Sequence, residues 1–211
     1  MLHLLQVIVG ESQTNRKNKQ VQHRNISKIL MEQGFTNTTM MRSELGIGEQ
    51  NDFRCQISET VQFDNLPIII ETTGSGFRIQ KVIPRISEQM ESGNLFTVPV
   101  YNLFKDSLPV KNTDFLLLKI FLFEKKHWFK PSLHYKVVRI LGDHRLIWTN
   151  AVRGLKGPAK KKRRFFSFDP TPIIIESVVP AKMINELIPK LKAIIQDEVV
   201  IAIPVHVFFR Q

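Results

Sequence analysis

Pro67-Ile68-Ile69-Ile70-Glu71 recurs as Pro172-Ile173-Ile174-Ile175-Glu176, an offset of 105 residues. The register then holds to the end of each half: Asp64 falls on Asp169, Ile83-Pro84 on Ile188-Pro189 and Pro99-Val100 on Pro204-Val205. Upstream the offset is 111, pairing His23 with His134, Ile29-Leu30 with Ile140-Leu141, Thr38 with Thr149, Arg42 with Arg153 and Gly46 with Gly157. At the start it is 113, matching Val9-Gly10-Glu11 to Leu122-Phe123-Glu124. One pentapeptide can recur by chance; collinear matches along a whole half-chain mark a repeated structural unit. The 211 residues are therefore a tandem duplication, copy one spanning 1–105 and copy two 112–211, with a linker from about Lys105 to Thr113. The changes of offset put the length differences in loops, chiefly a segment six residues shorter in copy two between Gly157 and Asp169.

Hydrophobic periodicity predicts the same elements in both copies. Leu4–Val9 and Phe115–Phe123 read as strand one. A helix follows with Gln22, Ile26, Ile29 and Leu30 in copy one and Leu133, Val137, Ile140 and Leu141 in copy two on one face, an apolar stripe apart from Gln22. Strand two is Thr36–Arg42 or Leu146–Arg153, and strand three Leu66–Thr72 or Pro172–Val178. The second helix presents Ile79, Val82, Ile83, Ile86 and Met90, matched by Ile184, Leu187, Ile188, Leu191 and Ile195; Pro84 and Pro189 within it should kink the helices or mark late starts. Leu95–Tyr101 and Val199–Phe208 are the last strands. The order βαββαβ in about 100 residues belongs to the α+β class, here two tandem ferredoxin-like domains with antiparallel sheets and both helices of each on one face. Yet Val7-Ile8-Val9, Leu116-Leu117-Leu118 and both Ile triplets are apolar on consecutive residues, so both sheet faces should be covered, one of them by a second sheet. That pattern favours an oligomer or close packing of the repeats.

The net charge of +11 is uneven: 1–105 hold 11 Lys/Arg against 10 Asp/Glu, and 106–211 hold 19 against 9. Such asymmetry suits an anionic partner for the second half, whether nucleic acid, nucleotide, acidic protein or lipid headgroup. A single cysteine, Cys55, forms no disulfide within the chain, and no apolar run reaches a membrane span. The apolar opening Met1–Gly10 lacks a basic leader and a small-residue cleavage pattern and reads as a strand. A cytoplasmic setting is expected.

After strand two, Arg42-Ser43-Glu44-Leu45-Gly46-Ile47-Gly48 resembles the Arg-Gly-x-x-Gly-aromatic-Gly motif of the PII-like domains catalogued as domain of unknown function 190 (DUF190), with Ser43 at the first glycine and Ile47 at the aromatic. Leu66-Pro67-Ile68-Ile69-Ile70-Glu71 is similar to their third strand, and Ile8-Val9-Gly10-Glu11-Ser12 to their first strand and its exit. Copy two keeps Arg153-Gly154-Leu155-Lys156-Gly157 and departs at Pro158-Ala159. The resemblance implies a relative of PII signalling proteins: a trimer of ferredoxin-like units that binds a small anionic effector, nucleotides included, in clefts between neighbours. The loop between strands two and three, Ser43–Phe63 and Gly154–Phe168 here, would report occupancy. It also implies a membrane transport protein as one kind of regulated partner.

The expected effector-binding residues are Arg42, Gly46, Gly48 and Arg54 in copy one and Arg153, Gly154 and Gly157 in copy two. Glycines admit positive φ and close backbone approach to an anion, and arginine supplies a charged fork; two glycines that merely turn the chain would look the same. The run Lys160-Lys161-Lys162-Arg163-Arg164 before Phe165-Phe166-Ser167-Phe168 is a second expected anion or partner site and supports the alternative of a nucleic-acid or anionic-surface binder. Against nucleic acid, the Ile-rich third strand lacks the stacking aromatics of an RNA-recognition sheet. His23 and His134 have no metal-ligand partner at helical spacing, and no catalytic motif, metal site or cofactor motif is present in the sequence. The expectation is a regulator, not an enzyme.

Overall fold

A computed structural model describes residues 1–16, 19–43, 45–47, 53–55, 66–108, 113–124, 133–142, 146–150, 153–156, 171–195 and 199–207. The chain is a mixed α+β protein; among the described residues four α-helices alternate with strands that pair in antiparallel fashion. Copy one runs β1 (Leu2–Gly10), α1 (Gln22–Glu32), β2 (Asn37–Arg42), β3 (Leu45–Ile47), β4 (Phe53–Cys55), β5 (Pro67–Ser75), α2 (Gly76–Ser87) and β6 (Asn94–Asn102). Copy two runs β7 (Phe115–Glu124), α3 (Leu133–Leu141), β8 (Leu146–Asn150), β9 (Arg153–Lys156), β10 (Thr171–Pro180), α4 (Ile184–Ile194) and β11 (Val199–Val205).

These elements form two compact units. The first comprises His3–Val98 and Ala151–Lys162, with strand order β9-β2-β5-β1-β6. Its core joins alternate residues of the strands, Leu5, Val7, Val9, Ile68 and Ile70, to the helix stripes Ile26 and Leu30 of α1 and Ile79, Val82 and Ile86 of α2. The second comprises Met1–Leu2, Pro99–Asn150 and Arg163–Gln211, with order β8-β10-β7-β11. Its core repeats the plan: Leu116, Leu118, Ile120, Ile173 and Ile175 meet Val137 and Leu141 of α3 and Ile184, Leu187 and Leu191 of α4. Both predicted helix stripes are thus the buried ones, Ile83 and Ile188 packing at the margins. Pro84 and Pro189 mark no late start; each sits inside its helix, where it removes a backbone donor and crowds the carbonyl four residues back.

Residues that alternation turns away from the helices are buried too. Ile174 lies opposite Phe121 in the β10–β7 ladder, and Ile174, Phe121 and Ile201 of this face are all buried. The same face of the first unit buries Thr39, Met41 and Glu71. Of the middle residues of the consecutive apolar runs only Ile174 is buried, whereas Ile8, Ile69 and Leu117 are half-buried, so the second face is covered in part.

Two sequence expectations are corrected by pairing. Strand two of copy two, expected over Leu146–Arg153, is two strands: β8 ends at Asn150, and β9 pairs with β2 of copy one, Met40 opposite Arg153 and Thr39 opposite Gly154. The alignment of strand two also moves. Arg42 lies opposite Ile68, and the residue opposite Ile173, its repeat, is Asn150. In the sheet Arg42 therefore corresponds to Asn150, not Arg153, and Thr38 to Leu146, not Thr149. Half of the shortening assigned to the long loop falls instead between α3 and β8. The pairing itself selects this alignment over two matching letters, and a shift by an odd number of residues turns a strand's side chains to the opposite face.

Candidate functional site

Arg42 closes β2, and its Nε donates to Oε2 of Glu11 at 2.8 Å. Glu11 is the first residue past β1; its N–H donates to the Leu66 carbonyl at 2.8 Å, and the N–H of Ser43 donates to the Pro67 carbonyl at 2.9 Å. The exit of β1, the exit of β2 and the entry to β5 therefore meet at one corner, from which the 43–65 segment leaves and to which it returns. The ion pair is accessible, with 28% of the Arg42 side chain and 37% of Glu11 exposed. Such a pair contributes at most about 1 kcal/mol, so an incoming anion can displace the carboxylate from the guanidinium at small cost.

Within that segment β3 and β4 form a hairpin that sets Gly46 opposite Arg54 and Ile47 opposite Phe53. The structure thereby brings Gly46 and Arg54, far apart in sequence terms for a loop, into one ladder. Gly48 lies outside the described residues. In copy two, Arg153 and Gly154 belong to β9 of the first unit, paired with β2, and the register position that Arg42 holds in copy one is held by Asn150. Gly157 and the run Lys160, Lys161, Lys162, Arg163 and Arg164 lie outside the described residues.

The loop after β1 is tied down by side chains that composition did not single out. The Gly10 N–H donates to Gln13 Oε1 at 2.8 Å, Gln13 Nε2 donates to Ser92 Oγ, and Asn15 Nδ2 donates to the Glu88 carbonyl at 3.1 Å. The Arg16 N–H reaches Glu91 Oε1 at 2.9 Å. Glu11 is thus presented by a loop fastened to the turn between α2 and β6. Its role was legible only as the exit of strand one; the partner, 31 residues away, was not. Among the described residues no three His, Cys, Asp or Glu side chains stand together as metal ligands, and His134 packs against the Tyr135 ring at 4.3 Å.

The DUF190 family profile, described as "Uncharacterized ACR", matches residues 2–101 and again 115–207. The chain belongs to the DUF190 family. The two matched segments are the two copies, so the duplication is a duplication of the DUF190 unit. Among curated proteins no match is found. A solved structure, the crystal structure of an unknown protein from Galdieria sulphuraria, aligns at 11% identity and a TM-score of 0.29 over 98% of this chain and all of that one.

The DUF190 copies share a partly buried polar contact among the described residues. Gln6 Nε2 donates to Glu71 Oε1 at 2.7 Å, and in copy two Lys119 Nζ meets Glu176 Oε1 at 3.0 Å. The offsets 113 and 105 superpose Gln6 on Lys119 and Glu71 on Glu176. One repeat fixes its glutamate with an amide and the other with an ammonium. No helix among the described residues is long and apolar enough to cross a membrane, which says nothing of strands.

Proposed function

We propose that this DUF190 chain is a PII-like regulator, built of two ferredoxin-like domains, that binds a small anionic effector at the Arg42 corner of copy one and reports it through the 43–65 segment to a partner protein. The observation that carries this reading is the accessible Arg42–Glu11 pair at the base of that segment. An anion with two or three oxygens, a nucleotide phosphate or a dicarboxylate, matches the guanidinium better than one carboxylate does and takes Glu11's place. Gly46 and Arg54 in the adjoining hairpin supply a backbone unencumbered by a Cβ and a second cation.

The chain acts by binding, not by catalysis, as a homo-oligomer, with a trimer favoured, in the cytoplasm, and a membrane transport protein is one class of regulated partner. Copy two, with Asn150 in Arg42's place, is the structural or docking half. Its excess charge makes an acidic surface a better partner for it than a second effector molecule. Binding of nucleic acid or an anionic surface through 160–164 is the alternative, favoured only by that charge.

A thermal-shift screen of nucleotides and small anions tests the proposal. At least one compound should raise the melting temperature of the wild-type chain and fail to do so for Arg42→Ala. A screen without any stabilising anion, or stabilisation undiminished in Arg42→Ala, removes the pocket.

A further inference from the structure

Around the glutamate that follows each Ile triplet, the two copies differ on both neighbouring strands. In copy two the Glu176 carboxylate has the Lys119 ammonium beside it at 3.0 Å, and the residue across the β10–β8 ladder is Ile147. In copy one the place of Lys119 is taken by Gln6, whose Nε2 donates to Glu71 Oε1 at 2.7 Å, and the place of Ile147 by Thr39, directly across the β5–β2 ladder. The first exchange takes an ammonium from beside the carboxylate. The second adds an oxygen.

These groups are sealed from water. Glu71 is fully buried and Thr39 is 1% exposed. Glu71 Oε2 is closed to solvent, and the equally closed Thr39 hydroxyl has no hydrogen-bond partner among the described residues. Protein interiors seldom leave a hydroxyl so, because its desolvation is then uncompensated. The next residue across the sheet from Thr39 is Gly154 of β9, which brings no side chain to occupy the space on that side. Gln6, Glu71, Thr39 and Gly154 thus form a row over β1, β5, β2 and β9, all within the first unit.

We propose that copy one binds a monovalent metal cation between the Glu71 carboxylate and the Thr39 hydroxyl, in the part that the Lys119 ammonium plays in copy two. Hard cations take oxygen ligands at about 2.4 Å. Side chains directly across an antiparallel ladder stand about 5 Å apart at Cβ, a span that such an ion bridges. The Gln6 amide, bonded to Oε1, holds the carboxylate in place. Copy two sets one ammonium against its one carboxylate, and a divalent ion in the same place would bury an excess charge. The inference uses neither Arg42 nor the 43–65 segment, so it and the effector reading can fail separately.

Thermal unfolding of the full chain in lithium, sodium, potassium and choline chloride, at one ionic strength so that screening is constant, tests the site. At least one of the metal cations should raise the melting temperature above that in choline by several degrees, along a saturable concentration curve. Thr39→Val, which removes the oxygen at nearly unchanged shape, should weaken the apparent affinity for that cation at least several-fold. Gln6→Lys, which installs the ammonium of copy two, should abolish the response and melt in choline no lower than the wild-type chain does in saturating cation. Equal melting of the wild-type chain in all four salts overturns the proposal, as does an undiminished response in either variant.

Discussion

Gly93 has φ of +108°, and a Cβ built there would lie 2.2 Å from the Ile8 carbonyl oxygen. Both the backbone region and the close approach exclude a side chain, at the turn that anchors the Gln13 loop through Ser92. Gly93→Ala should cost at least about 2 kcal/mol of unfolding free energy in urea; a loss below about 0.5 kcal/mol would show that the turn relaxes. At Arg42 the forecast concerns affinity. Glu11→Gln removes the carboxylate that competes for the guanidinium while altering stability by no more than about 1 kcal/mol. It should tighten binding of the anion identified by thermal shift, and a weakened affinity would mean that Glu11 positions Arg42 productively instead of competing with it. The place of Arg42 at the end of strand two was legible from the apolar run before it and the glycines after it. Its ion pair was not, since contacts between residues 31 apart depend on which strands are neighbours.

Periodicity located the helices and most strands, because a stripe at helical spacing must face a core: the residues read as stripes, Ile79 to Ile86 and Ile184 to Leu191, are the buried ones. It failed at strand two of copy two. There Thr149 and Arg153 imitate Thr38 and Arg42 in spacing, but the pairing of β8 with β10 sets the register, and a pairing between strands distant in sequence leaves no trace in local spacing. Nor does alternation reveal that Arg153–Lys156 leaves its own copy to pair with β2. The buried pairs across the central strands permit a direct comparison of the copies. Lys119 is 8% exposed and Glu176 22%, so Lys119→Ala strands a largely desolvated carboxylate and should cost about 2–3 kcal/mol in denaturant titration, less than for a fully buried pair. Lys119→Gln, which installs the residue copy one uses in this place, should lose less than half as much. Equal losses in the two variants would mean that the charge of Lys119, and not its hydrogen bond, holds Glu176.

At the scale of the whole chain the two copies differ in charge and at the residue that ends strand two. Copy one is near neutral and keeps Arg42; copy two carries an excess of ten positive charges and has Asn150 at the equivalent place. Neutralising Lys160, Lys161, Lys162, Arg163 and Arg164 should abolish salt-sensitive binding of an acidic partner, a contribution screened over about 8 Å at physiological ionic strength, and leave effector affinity unchanged. Lost effector affinity in that variant would place both loops in one site. In sequence the copies diverge at Pro158-Ala159, outside the described residues, and the register adds an asparagine, Asn150, where the first copy has Arg42. The decisive measurement is the calorimetric stoichiometry of the stabilising anion. One molecule per chain, lost in Arg42→Ala and retained in Arg153→Ala, is the predicted result; two per chain, or binding retained in Arg42→Ala, would contradict the account.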